Sequence, residues 1–165
     1  ADGWIELVNS LDKTRGVPVI VNTAARNSTG VARYGQTLKS TLGELGRTMV
    51  TLWVINRQRD SLELLADYLD AMPAGADHQV HVVRNGYFGS AEKFQLYNGS
   101  QLKQRIEEAG GLTLDFPDLA DRVADQMATQ RLTIQGAFKE MPLGHRAELI
   151  RWRDEAFKVL GQVMT

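Results

Sequence analysis

Cysteine is absent from the chain, which excludes disulfides, thiolate metal centres and cysteine nucleophiles and fits a reducing compartment. Proline is scarce, with four residues, too few for a collagenous or polyproline segment. Long apolar runs are missing as well, and nothing approaches the roughly 18 to 20 residues that cross a bilayer. An excess of either charge is missing: 19 Lys and Arg against 20 Asp and Glu leave a net charge of -1. Without a global field to draw in nucleic acid or anionic lipid, any basic surface has to be local. No secretory signal is visible in the first residues, so cytoplasm is the expected compartment and no membrane partner is expected. The opening Ala-Asp-Gly-Trp carries no methionine, which raises the expectation that a segment precedes it. Three motifs are also lacking: G-x-x-x-x-G-K-[ST], G-x-G-x-x-G and the nucleophile elbow G-x-S-x-G.

What is present is ordinary folded-protein material. Of the 165 residues, 43% are hydrophobic and 24% charged, enough for one domain with a buried core. Val17 to Val21, Thr48 to Ile55, Val80 to Val83 and Leu112 to Phe116 are β-rich apolar runs. The two longer ones lack clean alternation, as strands covered on both faces do. Between them the period is helical. One stripe joins Trp4, Leu7, Val8 and Leu11, closed by Gly16, and a second joins Val31, Tyr34, Leu38, Leu42 and Leu45. The third runs through Leu62, Leu65, Ala66, Leu69 and Met72, with Asp60 as its expected N-cap and Pro73 beyond its end. Further helices are expected over Gln101 to Ala109, after Pro117 with Leu119, Val123, Ala124 and Met127, and from His145 to Val163. The alternation predicts an α/β fold, with a mostly parallel sheet, helices on both faces and a helical C-terminal tail. Residues 1–141 form the expected α/β domain and 142–165 a helix packed on it.

In such sheets, ligands sit outside the carboxyl ends of the strands. The segments that follow the four runs are Asn22-Thr23-Ala24-Ala25-Arg26, Asn56-Arg57-Gln58-Arg59-Asp60, Arg84-Asn85-Gly86-Tyr87-Phe88 and Asp115 with Pro117-Asp118. Gathered on one edge, their amides and arginines make a candidate anion or nucleotide site. Each loop taken alone reads better as turn and capping residues with solvated arginines, and it is their succession at one edge that brings the ligand reading level. His78 and His81 read as sharing one face of a short strand, where they would need a third ligand to hold a metal; none held by histidines is expected. Arg146, Arg151 and Arg153 on the last helix could touch DNA, although Glu148, Asp154 and Glu155 interrupt them.

Several runs carry a family resemblance. VPVIVNTAARNSTG resembles the strand and switch segment that follow the phosphate loop in ParA/MinD-type P-loop ATPases. VHVVRNGYFG resembles the strand that ends there in an adenine-contacting asparagine, and LDFPDLADRV the strand leading into the loop that closes over the base. With LWVINRQRDSLELLADYL and RLTIQGAF, the pattern is most similar to the plasmid stability, partition and conjugative mobilisation branch, over about residues 1 to 140. The resemblance implies that Asn22 stands at the switch position near Mg²⁺, Asn85 at the base-contacting asparagine, and Pro117 with Asp118 at the adenine-side loop. Thr23, Arg26, Asn56 and Arg84 join them as candidate nucleotide-binding residues from their places in the loops after the strands. ATP and Mg²⁺ are thus the implied ligands of the intact protein, with none held tightly by this chain alone. A nucleotide-dependent homodimer and a partition or relaxosome protein are the implied partners. Departures are an amide, Asn22, in place of the switch aspartate, Ala24 in place of a proline, and no phosphate-binding lysine. An amide compensates a magnesium ion less than a carboxylate does. The chain alone is therefore expected to be catalytically incompetent, the rest of the ATPase lying upstream; the alternative is a complete, non-catalytic module that binds protein or DNA.

Overall fold

The computed structural model describes residues 2–23 and 28–164. Its elements are α1 (Asp2–Lys13), α2 (Ser28–Glu44), β1 (Met49–Ile55), α3 (Arg59–Ala71), β2 (His78–Asn85), α4 (Gln95–Asn98), α5 (Gln101–Glu108), β3 (Thr113–Phe116), α6 (Asp121–Thr129), α7 (Ile134–Glu140) and α8 (Leu143–Leu160). Two short 3-10 turns, Gly86–Phe88 and Ala91–Lys93, link β2 to α4. The fold is α/β, as the sequence predicts. The three strands form a parallel sheet in the order β1-β2-β3. Met49 to Ile55 lie opposite His78 to Arg84, and Val82 to Asn85 opposite Thr113 to Phe116. All three strands therefore end at the same edge.

Alternation along the strands divides the core. On one face, Trp53, Ile55, Val80 and Val82 pack against Leu65 and Leu69 of α3, Phe94 and Tyr97 around α4, and Ile106 of α5. On the other, Leu52, Val83, Leu114 and Phe116 meet Val159 and Val163 at the end of α8. A separate cluster joins α6, α7 and α8 through Val123, Ala137, Met141 and Leu149. A fourth joins α1 and α2 through Leu11, Leu38 and Leu42 and reaches Met49 at the start of β1. The C-terminal helix thus packs on the domain. Among the described residues, no helix is long and apolar enough to cross a membrane.

Four expectations are corrected. Val17 to Val21 is not a strand: the segment pairs with nothing in the sheet and is exposed, Ile20 by 83%. β-rich composition favours an extended chain, but a strand also needs a neighbour, and among the described residues β1 is paired only through β2. Asp60 is not the N-cap of α3. Asn56 Oδ1 accepts the Gln58 amide at 2.8 Å and turns the chain early, so that Gln58 caps and Asp60 lies in the first turn, favourably placed at the helix's positive end. His78 and His81 do not share a face, because residues three apart on a strand point to opposite sides. His78 meets Thr51 and Tyr68, and His81 Nδ1 accepts the Leu112 amide at 3.0 Å. Finally, Ala124 is exposed rather than part of the buried stripe of α6, whereas the expected C-terminal helix is present as α8.

Candidate functional site

Parallel register brings the loops after β1, β2 and β3 to one edge. The interior of that edge is locked by charge. Arg84 and Asp115 are register partners, and the guanidinium grips the carboxylate with two bonds, Nε to Oδ1 at 2.7 Å and Nη2 to Oδ2 at 2.8 Å. Its third arm, Nη1, donates to Asn98 Oδ1 at 2.8 Å. With its donors spent inside the fold, Arg84 is a strut between β2, β3 and α4 rather than an open anion receptor.

Asn85 and the Pro117-Asp118 loop are brought together. Asn85 Oδ1 accepts the Tyr87 amide at 3.1 Å and starts the 3-10 turn. Gly86 then lies so close to the β3 exit that a Cβ there would collide with the Phe116 carbonyl and come within 2.8 Å of the Asp118 amide; only glycine permits this approach. The Pro117 carbonyl accepts from Trp152 Nε1 at 3.0 Å, and the Asp118 carbonyl accepts from Arg151 at 3.1 Å. This leaves the Asn85 Nδ2 group and the Asp118 carboxylate without a hydrogen bond among the described residues. They are the two polar groups of the corner able to meet a ligand. Asn22 and Thr23 are exposed on the irregular segment after α1 and are not joined to this corner, and Arg26 lies outside the described residues.

The loop after β1 faces a different cavity, an open one of about 440 Å³ lined by Asn56, Arg57, Gln58, Phe88, Lys93, Gln95 and Leu96. Asn56 and the loops carrying Arg57, Gln58 and Phe88 are legible in the sequence as candidates. Lys93, Gln95 and Leu96 are not, since the stretch after β2 offers no helical run long enough to notice. The available signal is the pair Phe94 and Tyr97, three residues apart and each 1% exposed, which marks a helical turn with one buried face.

At the opposite, amino end of the sheet, Thr51, Tyr68 and His78 form a buried hydrogen-bonded cluster, with Thr51 Oγ1 2.7 Å from the Tyr68 hydroxyl and 2.9 Å from His78 Nε2. Burial pushes the Tyr68 hydroxyl up and the His78 imidazole down from their ordinary values. Among the described residues, no three His, Asp or Glu gather as a metal site. Two of the three arginines on α8 are engaged. Arg151 bonds Glu148 and Glu155, and holds Glu148 below the usual carboxylate range. Arg153 pairs with Asp154 and lies over the Phe138 ring.

Fold and edge together define a parallel α/β protein with an open crevice at the carboxyl ends of its strands. Protein MobD of Acidithiobacillus ferrooxidans is 60% identical to it over 164 residues, 99% of this chain and 71% of that relative. The chain belongs to the MobD family. No family model matches it, and no solved structure does.

Proposed function

We propose that the chain is the larger part of a ParA/MinD-like nucleotide-binding protein that serves the mobilisation or maintenance of a plasmid or other mobile element. The name of its relative, MobD, supports the mobilisation half of this reading. The nucleotide half rests on one observation, the open flank of β1. Among the described residues that strand is paired on one side alone, and one of its faces leaves Val50 43% and Val54 60% exposed. Residues 18–23 have no regular secondary structure and no strand pairing among the described residues. Arg47 anchors the start of this segment near the beginning of β1 by donating to the carbonyl of Val17 at 3.0 Å and to that of Leu11 at 3.0 Å. One additional parallel strand on β1 would set same-face cross-strand neighbours beside Val50 and Val54 and offer Val17 to Val21 a partner. A Gly-rich loop at its carboxyl end would then stand beside Asn22 and the loops after β1 and β2.

The residues present fit the base end of a nucleotide and not its phosphates. Asn85 Nδ2 can donate to a base edge and the Pro117-Asp118 loop can border it, whereas no lysine-bearing glycine loop occurs in the chain. ATP with Mg²⁺ would stabilise a dimer, and a partition or relaxosome protein would be its partner. The 165-residue chain alone then binds ATP weakly and does not turn it over.

Titration of a fluorescent ATP analogue against this chain, and against the same chain extended by the segment encoded upstream, tests the reading. Tight, Mg²⁺-dependent binding is expected with the extension alone. Efficient hydrolysis by the 165 residues, or no gain from the extension, would sink it. A second reading, a non-catalytic interaction module, is favoured by one observation: Arg84, Asn56 and the Pro117 carbonyl already spend their polar groups within the fold.

A further inference from the structure

The cavity after β1 has a composition that the nucleotide reading does not use. Two cations, Arg57 and Lys93, and two exposed amides, Gln58 and Gln95, line it together with Phe88 and Leu96, and no carboxylate does. Neither Arg57 nor Lys93 makes a salt bridge among the described residues. The nearest acid in sequence, Glu92, is hydrogen-bonded to Ser90 and stays ionised under the charges of Lys93 and Arg84, but it does not line the cavity or bridge to Lys93. Phe88 is 38% exposed and Tyr87 beside it 69% exposed. Their rings meet edge to face, with centroids 5.2 Å apart, so Tyr87 is the largest solvent-facing aromatic surface beside the cavity. On the other side, past the shared Leu96, an apolar trough of about 280 Å³ runs between α3 and α5, where the opposite charges of Arg59 and Glu63 offset each other.

We infer that this face binds single-stranded nucleic acid, with backbone phosphates on Arg57 and Lys93 and bases stacked on Phe88 and Tyr87. Cations that track a phosphate backbone beside exposed aromatic faces are the combination that single strands require, because every base offers a π face and every nucleotide a charge. An acidic peptide would use the cations but gain little from the two rings. A free nucleotide would gain from an enclosed base slot, whereas this cavity is open and its outer ring, Tyr87, stands in solvent. The trough is apolar and the charges of Arg59 and Glu63 cancel within it, so it offers phosphates no net attraction and the strand leaves the cavity past Tyr87. Gln58 and Gln95 add hydrogen bonds that do not discriminate strongly among bases. The inference goes beyond the nucleotide reading and needs neither an upstream segment nor ATP.

Fluorescence anisotropy of a labelled oligo(dT) of about 12 nucleotides, titrated with the 165-residue chain at several salt concentrations, tests it. Phe88→Leu, which keeps the apolar packing but removes the π face, should weaken binding about 5- to 100-fold, and Tyr87→Ala likewise. Arg57→Gln and Lys93→Gln should each flatten the slope of log affinity against log salt by about 0.7. Circular dichroism and thermal melts unchanged from the parent would establish that each variant is folded. No binding of the oligonucleotide, or unaltered binding by folded Phe88→Leu and Tyr87→Ala, overturns the proposal. So does equal competition by dTMP, which makes this a mononucleotide site, or by poly-glutamate, which makes it an acidic-peptide site.

Discussion

The two flanks of the sheet use similar residues in opposite ways. Around β2 and β3, apolar side chains are covered on both faces and the polar groups at the carboxyl edge are tied to one another, as Arg84 is to Asp115 and Asn98. On the face of β1 turned away from α3, and along residues 17–23, valines and an isoleucine stand in solvent, and the cations of the edge, Arg57 and Lys93, make no salt bridge among the described residues. A polar residue at the end of a parallel strand is therefore no evidence for a ligand in itself. What separates a strut from a receptor is whether its hydrogen bonds are already made. The flank of β1 is where unmet chemistry is concentrated.

Isoleucine gives the sharpest test of that contrast, since one lies on each side of it. Ile55 is fully buried, between α3 and the segment around α4. Ile55→Ala should destabilise the chain by about 2–5 kcal/mol through lost transfer energy and a residual cavity. A urea unfolding curve measures this, and a loss under about 1 kcal/mol would mean that the covered flank is not as well packed as described. Arg84→Ala comes next. It strands Asn98 Oδ1 and a half-exposed Asp115, and we expect about 1–2 kcal/mol, with the double variant Arg84→Ala/Asp115→Ala costing less than the sum of the two singles. Strict additivity would show that the pair is not a strut.

Much of this arrangement is legible in the sequence, and the rest fails for identifiable reasons. The stripe Leu62, Leu65, Ala66, Leu69, Met72 announces α3 because one helix face suffices to bury it. Three of the four strands are announced by their apolar runs for the same local reason. Val17 to Val21 carries the same signal, yet its state depends on a neighbour that no local pattern reports. The meeting of Asn85 with Pro117 and Asp118 follows from reading parallel strands to their carboxyl ends. The bidentate grip of Arg84 on Asp115 does not, since it needs the exact register of β2 on β3. Lys93, Gln95 and Leu96 stay hidden because a four-residue helix has too little periodicity to detect.

Histidine supplies the third test, with a smaller effect. Burial depresses the pKa of both His78 and His81 below the ordinary 6.5, and Lys39 adds to the effect on His78. The unfolded chain therefore takes up protons first as the pH falls. Their stabilisation is complete above about pH 6.5 and is lost as the pH falls through the lower folded values, by at most about 1.4 kcal/mol per pH unit for each imidazole. Urea midpoints at about pH 7.5 and about pH 5.5 should differ in that sense. His81→Asn should narrow the gap, because its ring belongs to the covered flank through the Leu112 amide. A gap unchanged in both His81→Asn and His78→Gln would assign the acid sensitivity elsewhere.

The smallest expected effect carries the most about function. Ile20 is 83% exposed, so Ile20→Ala in this chain should change stability by no more than about 0.5 kcal/mol. The same substitution in a chain extended upstream is a different experiment if an added strand lies between residues 17–21 and β1. Burying that side chain is worth about 1.5–3 kcal/mol relative to leaving it in water, so Ile20→Ala should then cost several times more than in the 165 residues. Val54→Ala should follow the same rise, since Val54 faces solvent on the uncovered side of β1. An unchanged small cost for both in the extended protein would mean that the flank stays open to solvent. Residues 17–21 would then need another partner for their apolar surface, and the nucleotide reading would lose the observation on which it rests.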